Sequence, residues 1–228
     1  MPPLRKSGPP HPTALVTGGN RGIGRAIAAG LIAQGCTVTI SARDATEGRE
    51  TAQSLNCRFA RIDLRDPDSY FDVLTKQGGF DILVNNAGFL GHTSLLAKDS
   101  DFDAAMEVMV NAPLDLIRLN TPYWRQSGWG RIVNLSSGWG SHAEGLGGPG
   151  AYGVAKAALN ALTHALPRDL PPGVKINACD PGWVATRMGG AAAPLTPEEG
   201  ADTPVWLALL PDDGPTGSLF RKRQPVAW

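Results

Sequence analysis

Tyr152 and Lys156 stand four residues apart in the stretch Tyr152-Gly153-Val154-Ala155-Lys156, between a glycine-heavy loop and an alanine-rich run. If that run is helical, both side chains leave the same face and an ammonium can lie near a phenol. A free tyrosine titrates near ~10, too high for efficient proton transfer at neutral pH. A neighbouring positive charge stabilises the phenolate and brings the group closer to its working range, so the pair points to acid/base chemistry. The bland reading is an ordinary aromatic and a solvated lysine on a helix, and the surrounding chain has to decide.

Three other residues bear on that decision. Ser137 ends the apolar run Arg131-Ile132-Val133-Asn134-Leu135-Ser136-Ser137 and could hold a substrate oxygen, although serines at strand ends also cap and turn. Asn111 lies two residues before Pro113 in a stretch of helical periodicity. Proline removes a ladder donor, so Asn111 either faces a locally opened backbone that can take a water or is a plain polar helix residue. His142, in the glycine loop 138–150, reads as a solvent-exposed residue or a substrate contact rather than a base.

The elements that would position these groups follow from periodicity. Thr13-Ala14-Leu15-Val16-Thr17 reads as a strand that runs into Gly18-Gly19-Asn20-Arg21-Gly22-Ile23-Gly24, and Ile23, Ile27 and Leu31 then recur at helical spacing up to Gly35. Strand, glycine turn and helix make the front half of a dinucleotide-binding unit: backbone can approach a pyrophosphate whose charge meets amides at the helix N-terminus. A tight turn alone would use the same glycines. The second strand, Cys36 to Ser41, ends in Ala42-Arg43-Asp44. An acidic residue at this tip pairs with the ribose of NAD, whereas an arginine accommodates the extra phosphate of NADP. Arg43, with Arg21 in the glycine loop, therefore favours NADP(H), with NAD(H) possible if Asp44 takes the ribose instead of capping the helix Ala45 to Leu55.

Further strands are predicted at 58–62, 80–84, 131–137, 174–178 and 216–220, with helices at 67–76, 101–127, 152–166 and 198–210. The fourth strand closes on Asn85-Asn86-Ala87-Gly88, small and amide residues suited either to a cofactor across the sheet edge or to a turn. The segment Met188 to Pro197 is rich in small residues and reads as a short lid. Strands alternating with helices imply an α/β fold: one doubly wound Rossmann domain with a central parallel sheet flanked by helices. Residues 13–228 form that domain, and the proline-rich residues 1–12 are expected to be a flexible tail.

Composition narrows the function. The chain has 228 residues, its 21 lysines and arginines balance 21 aspartates and glutamates, and no global field draws it to nucleic acid or an anionic membrane. Its three cysteines, Cys36, Cys57 and Cys179, are odd in number and lack metal-ligand spacing, so reduced thiols, no metal site and a cytoplasmic location are expected. No apolar run reaches membrane-spanning length.

With these pieces placed, residues 13–220 resemble the short-chain dehydrogenase/reductase family. The resemblance rests on Thr17-Gly18-x-x-x-Gly22-x-Gly24, Asp63, Asn85-Asn86-Ala87-Gly88, Asn111, Ser137, Tyr152-x-x-x-Lys156 and Pro181-Gly182-x-x-x-Thr186, in that order. The glycine loop and Ala42-Arg43-Asp44 look most like NADPH-dependent carbonyl reductases. The resemblance implies that Tyr152 is the proton donor in carbonyl reduction or the base in alcohol oxidation. It implies that Lys156 lowers the tyrosine's pKa and binds the nicotinamide ribose, that Ser137 holds the substrate oxygen, and that Asn111 holds a water linking Lys156 to solvent. Gly18, Asn20, Arg21, Gly22, Ile23 and Gly24 would cradle the cofactor, with Arg43 at its extra phosphate and Asp63 and Leu64 at the adenine. Asn86, Ala87 and Gly88 would meet the adjoining ribose and cofactor backbone; Pro181, Gly182, Val184 and Thr186 would meet the nicotinamide end. Ser137 lies slightly farther from Tyr152 than in short-loop members, so Ser136 and Ser141 stay open as alternatives.

The implied activity is hydride transfer between NADP(H) and a carbonyl or secondary alcohol, with a homodimer or homotetramer expected. Trp139, Leu146, Trp183 and Met188 could line an apolar substrate pocket, or belong to core or interface. The alternative is an NADP-binding sensor on the same fold without turnover. A nucleotide-sugar epimerase or dehydratase ranks last, because the chain lacks a sizeable C-terminal substrate domain.

Overall fold

The computed structural model describes residues 8–228. Its centre is β1 (Thr13–Val16), whose Ala14, Leu15 and Val16 are wholly buried because helices cover both faces of the sheet. A strand shielded on both sides has no solvent face to alternate with, hence the continuous apolar run. On one side β1 pairs in parallel with β2 (Thr37–Ala42), Val16 opposite Ile40, and β2 pairs with β3 (Arg58–Arg61). On the other side β1 pairs in parallel with β4 (Ile82–Asn85), Val16 opposite Val84. Beyond β4 lie β5 (Gly130–Leu135), β6 (Val174–Cys179), β7 (Leu219–Arg221) and the antiparallel β8 (Gln224–Val226), giving the order β3-β2-β1-β4-β5-β6-β7-β8. The chain leaves β3 and re-enters the sheet on the far side of β1. The loops after β1 and β4 therefore diverge and leave a crevice at the carboxyl ends of the strands.

Helices α1 (Gly22–Ala33), α2 (Ala45–Leu55) and, from the far end of the chain, α7 (Pro197–Ala208) cover one face. Helix α3 (Pro67–Gln77) and the helical run from Phe102 cover the other, where Tyr70, Leu74, Leu116 and Trp124 fill the core. Trp124 is fully buried and donates its Nε1–H to the Phe80 carbonyl at 2.9 Å. Burial on this scale contributes about 2–3 kcal/mol, which fixes the run against β4.

The predicted single helix over 101–127 is interrupted. It divides into α4 (Phe102–Met106), a π-helical turn (Glu107–Asn111) and α5 (Ala112–Ser127). Pro113 sits in the first turn of α5 and cannot donate, while the amide of Ala112 reaches back five residues to the Glu107 carbonyl. The opened backbone at Asn111 was thus legible from the proline.

Contacts hold the chain near both ends. Residues 1–7 of the predicted tail lie outside the described residues; at its end Pro12 is buried and its carbonyl accepts the Thr37 amide at 2.9 Å. The C-terminal residues fold onto their own chain. Trp228 meets the His164 ring edge-on, with centroids 5.4 Å apart, and the Ala227 carbonyl accepts the Ser141 hydroxyl. The strand predicted at 216–220 is displaced to β7, and β8 had no sequence signal of its own. The segment predicted as a lid is pinned by a bridge between Val184 and Leu195 and ends in a capping box at Thr196 and Glu199.

Candidate active site

Helix α6 (Tyr152–Ala165) starts at Tyr152, with Tyr152, Ala155, Lys156 and Leu159 all buried. The four-residue spacing does place both polar groups on one face, but not as the simplest picture requires. The Lys156 ammonium lies 5.6 Å from the centroid of the Tyr152 ring, over its face, and donates to the Leu135 carbonyl at 2.5 Å. Burial draws Lys156 down to about 8. Burial is also the largest influence on Tyr152, which is pushed up to about 12, while a hydrogen bond with Ser137 pulls it down and the Asp180 carboxylate pushes it up. The expected lowering of the phenol by Lys156 is therefore corrected: the ammonium faces the ring and a carbonyl rather than the phenol oxygen, and desolvation wins.

The serine alternatives separate clearly. Ser137 is the hydroxyl bonded to the Tyr152 phenol, and it also accepts the Trp139 amide at 3.2 Å. Ser136 is buried with its hydroxyl toward the Lys156 carbonyl, and Ser141 is fully buried and committed to Ala227. Trp139 meets the Tyr152 ring edge-on at 6.1 Å and is half exposed. His142 is exposed. Asn111 is not brought to Lys156: its side chain is exposed and donates to Glu107 at 3.0 Å, one turn back on its own helix.

From Tyr152 a cleft of about 1090 Å³ runs along the crevice, lined by Gly18, Asn20 to Gly24, Ser41 to Asp44, Asp63, Leu64, Asn86 to Gly88, Tyr152, Lys156, Pro181 and Thr186. Helix α1 opens onto it at Arg21 with no side-chain cap and no acidic residue in its first turn, leaving the first amides as open donors. A Cβ at Gly24 would lie 2.4 Å from both Asn86 Nδ2 and the Gly18 carbonyl, so only glycine lets helix and loop meet there. The hydroxyl of Thr17 accepts the Asn86 and Ala87 amides, and the Asn86 side chain donates to the Thr17 and Gly18 carbonyls. Asn86 thus ties the two loops together.

At the tip of β2, Arg43 and Asp44 both line the cleft. Asp44 accepts the amides of Thr46 and Glu47 as the N-cap of α2, whereas the exposed Arg43 lines the cleft with no ion-pair partner among the described residues. Arg21 is less free than expected. It pairs with Glu47 at 3.0 Å, Asn20 donates to the same carboxylate, and Arg187 lies 4.0 Å from its other oxygen. Glu47 and Arg187 were missed; Arg187 directly follows the Thr186 motif, and Glu47 carried no signal. Val184 is 3% exposed and packs against Gly200, so it supports the loop from beneath, while Gly182 donates to Asp180 Oδ1. Neither lines the cleft.

The open amides of α1, the glycine-only contact at Gly24 and the unpaired Arg43 fit a phosphorylated dinucleotide. A profile of the short chain dehydrogenase family matches residues 12–194. The chain belongs to the short-chain dehydrogenase family. It is an oxidoreductase with the Rossmann fold of that family. Carbonyl reductase [NADPH] 1 of Mus musculus is 34% identical to it, covering 96% of this chain and 99% of the relative. The Homo sapiens protein of the same name is 33% identical, covering 94% and 98%. Among solved structures, the carbonyl reductase Sniffer of D. melanogaster superimposes with a TM-score of 0.85 at 27% identity, covering 96% of this chain and all of the other. The Pseudomonas aeruginosa RhlG/NADP active-site complex does so at 0.83 and 29% identity, covering 97% of each.

Proposed function

We propose that this dehydrogenase is an NADPH-dependent carbonyl reductase, able to run the reverse oxidation of a secondary alcohol. The observation that carries the cofactor choice is the tip of β2, where Asp44 caps α2 through Oδ1 and the guanidinium of Arg43, without an ion-pair partner among the described residues, faces the cleft. The uncapped amides of α1 and the Gly18 to Gly24 loop would hold the pyrophosphate, with Arg43 and Arg21 at the extra phosphate. Asp63 and Leu64 would hold the adenine, Asn86 to Gly88 the adjoining ribose, and Pro181 and Thr186 the nicotinamide end. Bound NADPH supplies the hydride.

The chain's own residues manage the proton and the developing charge. With its phenol held up to about 12, Tyr152 stays protonated across the neutral range and is ready to donate to a carbonyl oxygen. The Ser137 hydroxyl, bonded to that phenol, stabilises the same oxygen as negative charge builds on it. The exposed rings of Trp139 and Trp183, with Met188, support an apolar or aromatic carbonyl as substrate. Three free thiols and balanced charge support a cytoplasmic location, and exposed Phe102 and Val154 on the helical layer support a homodimer or homotetramer. Among the described residues no helix is long and apolar enough to cross a membrane. Nothing observed favours the sensor reading.

The test is a fluorescence titration with NADPH and with NADH, repeated on Arg43→Asp. A clear NADPH preference that the substitution removes is expected; equal binding of both cofactors by the wild type would overturn the assignment of Arg43.

A further inference from the structure

Asn160 stands two turns along α6 from Tyr152, on the face that carries the phenol and the Lys156 ammonium. It is 2% exposed, and its Nδ2 donates to the Gly140 carbonyl at 3.0 Å. Gly140 ends a 3-10 turn, Gly138–Gly140, that follows β5 and rests on the helix. A Cβ at Gly140 would lie 2.6 Å from the Lys156 carbonyl carbon, and one at Gly153 would lie 3.0 Å from the Trp139 carbonyl oxygen. Among the described residues, the Asn160 amide makes the one side-chain hydrogen bond between α6 and these three turn residues. The same turn holds Ser137. The Ser137 hydroxyl accepts the Trp139 amide at 3.2 Å and its carbonyl accepts the Gly140 amide at 3.0 Å, while the Trp139 ring meets Tyr152 edge-on.

We propose that Asn160 is a positioning residue for carbonyl reduction: by fixing the Gly140 carbonyl on α6, it holds the Ser137 hydroxyl where the substrate oxygen arrives beside Tyr152. The inference rests on the reductase reading above, and adds a residue that does not itself line the cleft. Ser137 follows β5 and Tyr152 begins α6, so their separation depends on how strand and helix dock. Up to the end of β5 that docking is fixed by other bonds. Lys156 donates to the Leu135 carbonyl, Asn134 donates to the Thr163 hydroxyl at 2.9 Å, and the Ser136 hydroxyl points to the Lys156 carbonyl at 3.5 Å. Ser137 lies just past these anchors, and Asn160 supplies the next one. Hydrogen-bond satisfaction alone does not account for the amide. Asn160 Oδ1 is buried without a partner among the described residues; a leucine would trade that orphan oxygen for an unpaired Gly140 carbonyl, a nearly even exchange. What the amide adds is a fixed place for the turn, and a misplacement of about 1 Å can cost about 100-fold in rate.

The experiment is a double-mutant cycle on the reduction of a panel of aromatic ketones with NADPH by wild type, Asn160→Leu, Ser137→Ala and the double variant. NADPH affinity is read from nicotinamide fluorescence, and the turn from hydrogen exchange of the 138–141 amides. Asn160→Leu should lower kcat about 10- to 100-fold, leave NADPH affinity unchanged and speed exchange at Trp139 and Gly140. In the Ser137→Ala background the same substitution should change kcat by no more than about 2-fold, because the hydroxyl it positions is gone. A purely structural amide would lower Tm without that coupling. A folded Asn160→Leu protein with wild-type kcat, or equal losses in both backgrounds, overturns the proposal. If Asn160→Leu does not fold, Asn160→Ala takes its place in the cycle under the same criteria. A wild type that turns over no carbonyl or alcohol with NADP(H) refutes the reductase reading instead. Hydrogen exchange then decides the inference, and unchanged rates at Trp139 and Gly140 in the Asn160 variant refute it.

Discussion

Replacing Lys156 by methionine should make the protein more stable at neutral pH and less stable at high pH. Lys156 is 4% exposed, and its ammonium's only hydrogen-bond acceptor among the described residues is the Leu135 carbonyl. Its pKa falls from the ordinary 10.5 to about 8, so the folded state disfavours the charged form. At about 1.4 kcal/mol per tenfold change, that depression costs the fold about 3 kcal/mol. The sign follows from proton counting. Below pH 8 both states hold the proton and the full cost is present; as pH rises from 8 to 10.5 the unfolded chain holds more protons than the folded one, stability rises and the cost disappears. Methionine removes the buried charge but leaves the Leu135 carbonyl unpaired, a loss of about 1 kcal/mol. Lys156→Met should therefore gain about 2 kcal/mol at pH 7, a rise in Tm of about 5 °C for a chain of this size. Above pH 10.5 it should be about 1 kcal/mol less stable than wild type, because the neutral amine still donates to Leu135. Urea unfolding of both proteins without added cofactor, at pH 7 and pH 10.5, measures the difference, and other titrating groups cancel in the comparison. A stability gap that stays the same at both pH values would refute the reasoning, since it would show that the lysine is not desolvated. The same substitution should cost turnover, so this site trades stability for chemistry.

Tyr152→Phe should lower turnover by at least about 100-fold, the usual worth of a positioned proton donor, while NADPH affinity by fluorescence changes little; retained turnover would remove Tyr152 as the acid. Gly24→Ala should abolish NADPH binding with the fold intact by circular dichroism, because its Cβ would press to 2.4 Å on Asn86 and the Gly18 carbonyl at the start of α1. Near-normal binding would show that this contact is not needed. Glu47→Gln should tighten NADPH binding more than NADH binding by freeing Arg21, as read by parallel titrations, and an equal effect on both cofactors would place Glu47 away from the extra phosphate.

The order of strands and helices was legible because each element carries its own local signal. The apolar runs Ala14 to Val16 and Ile82 to Val84 gave buried parallel strands, and Asp44 marked the start of α2. The placement of the glycine loop and Arg43 along the cleft, and of Tyr152 and Lys156 on one face of a helix, was also legible, because spacing within an element fixes which groups share a face or an edge. The hairpin of β7 and β8 was not. Its turn residues Lys222 and Arg223 adopt positive φ without the usual asparagine or glycine, and Arg223 is held there by Asp202 and Thr203 of α7. Likewise, sequence could place Tyr152 and Lys156 on one face of α6 but could not set their electrostatics. Whether the ammonium meets the phenol oxygen, the ring or the Leu135 carbonyl depends on how α6 docks on β5. In the same way, Asp180 meets its ion-pair partner, Arg221, 41 residues away in the chain. Spacing along the chain fixes which groups share an element; desolvation and charge depend on the distances between elements, and those exist only once the sheet is assembled.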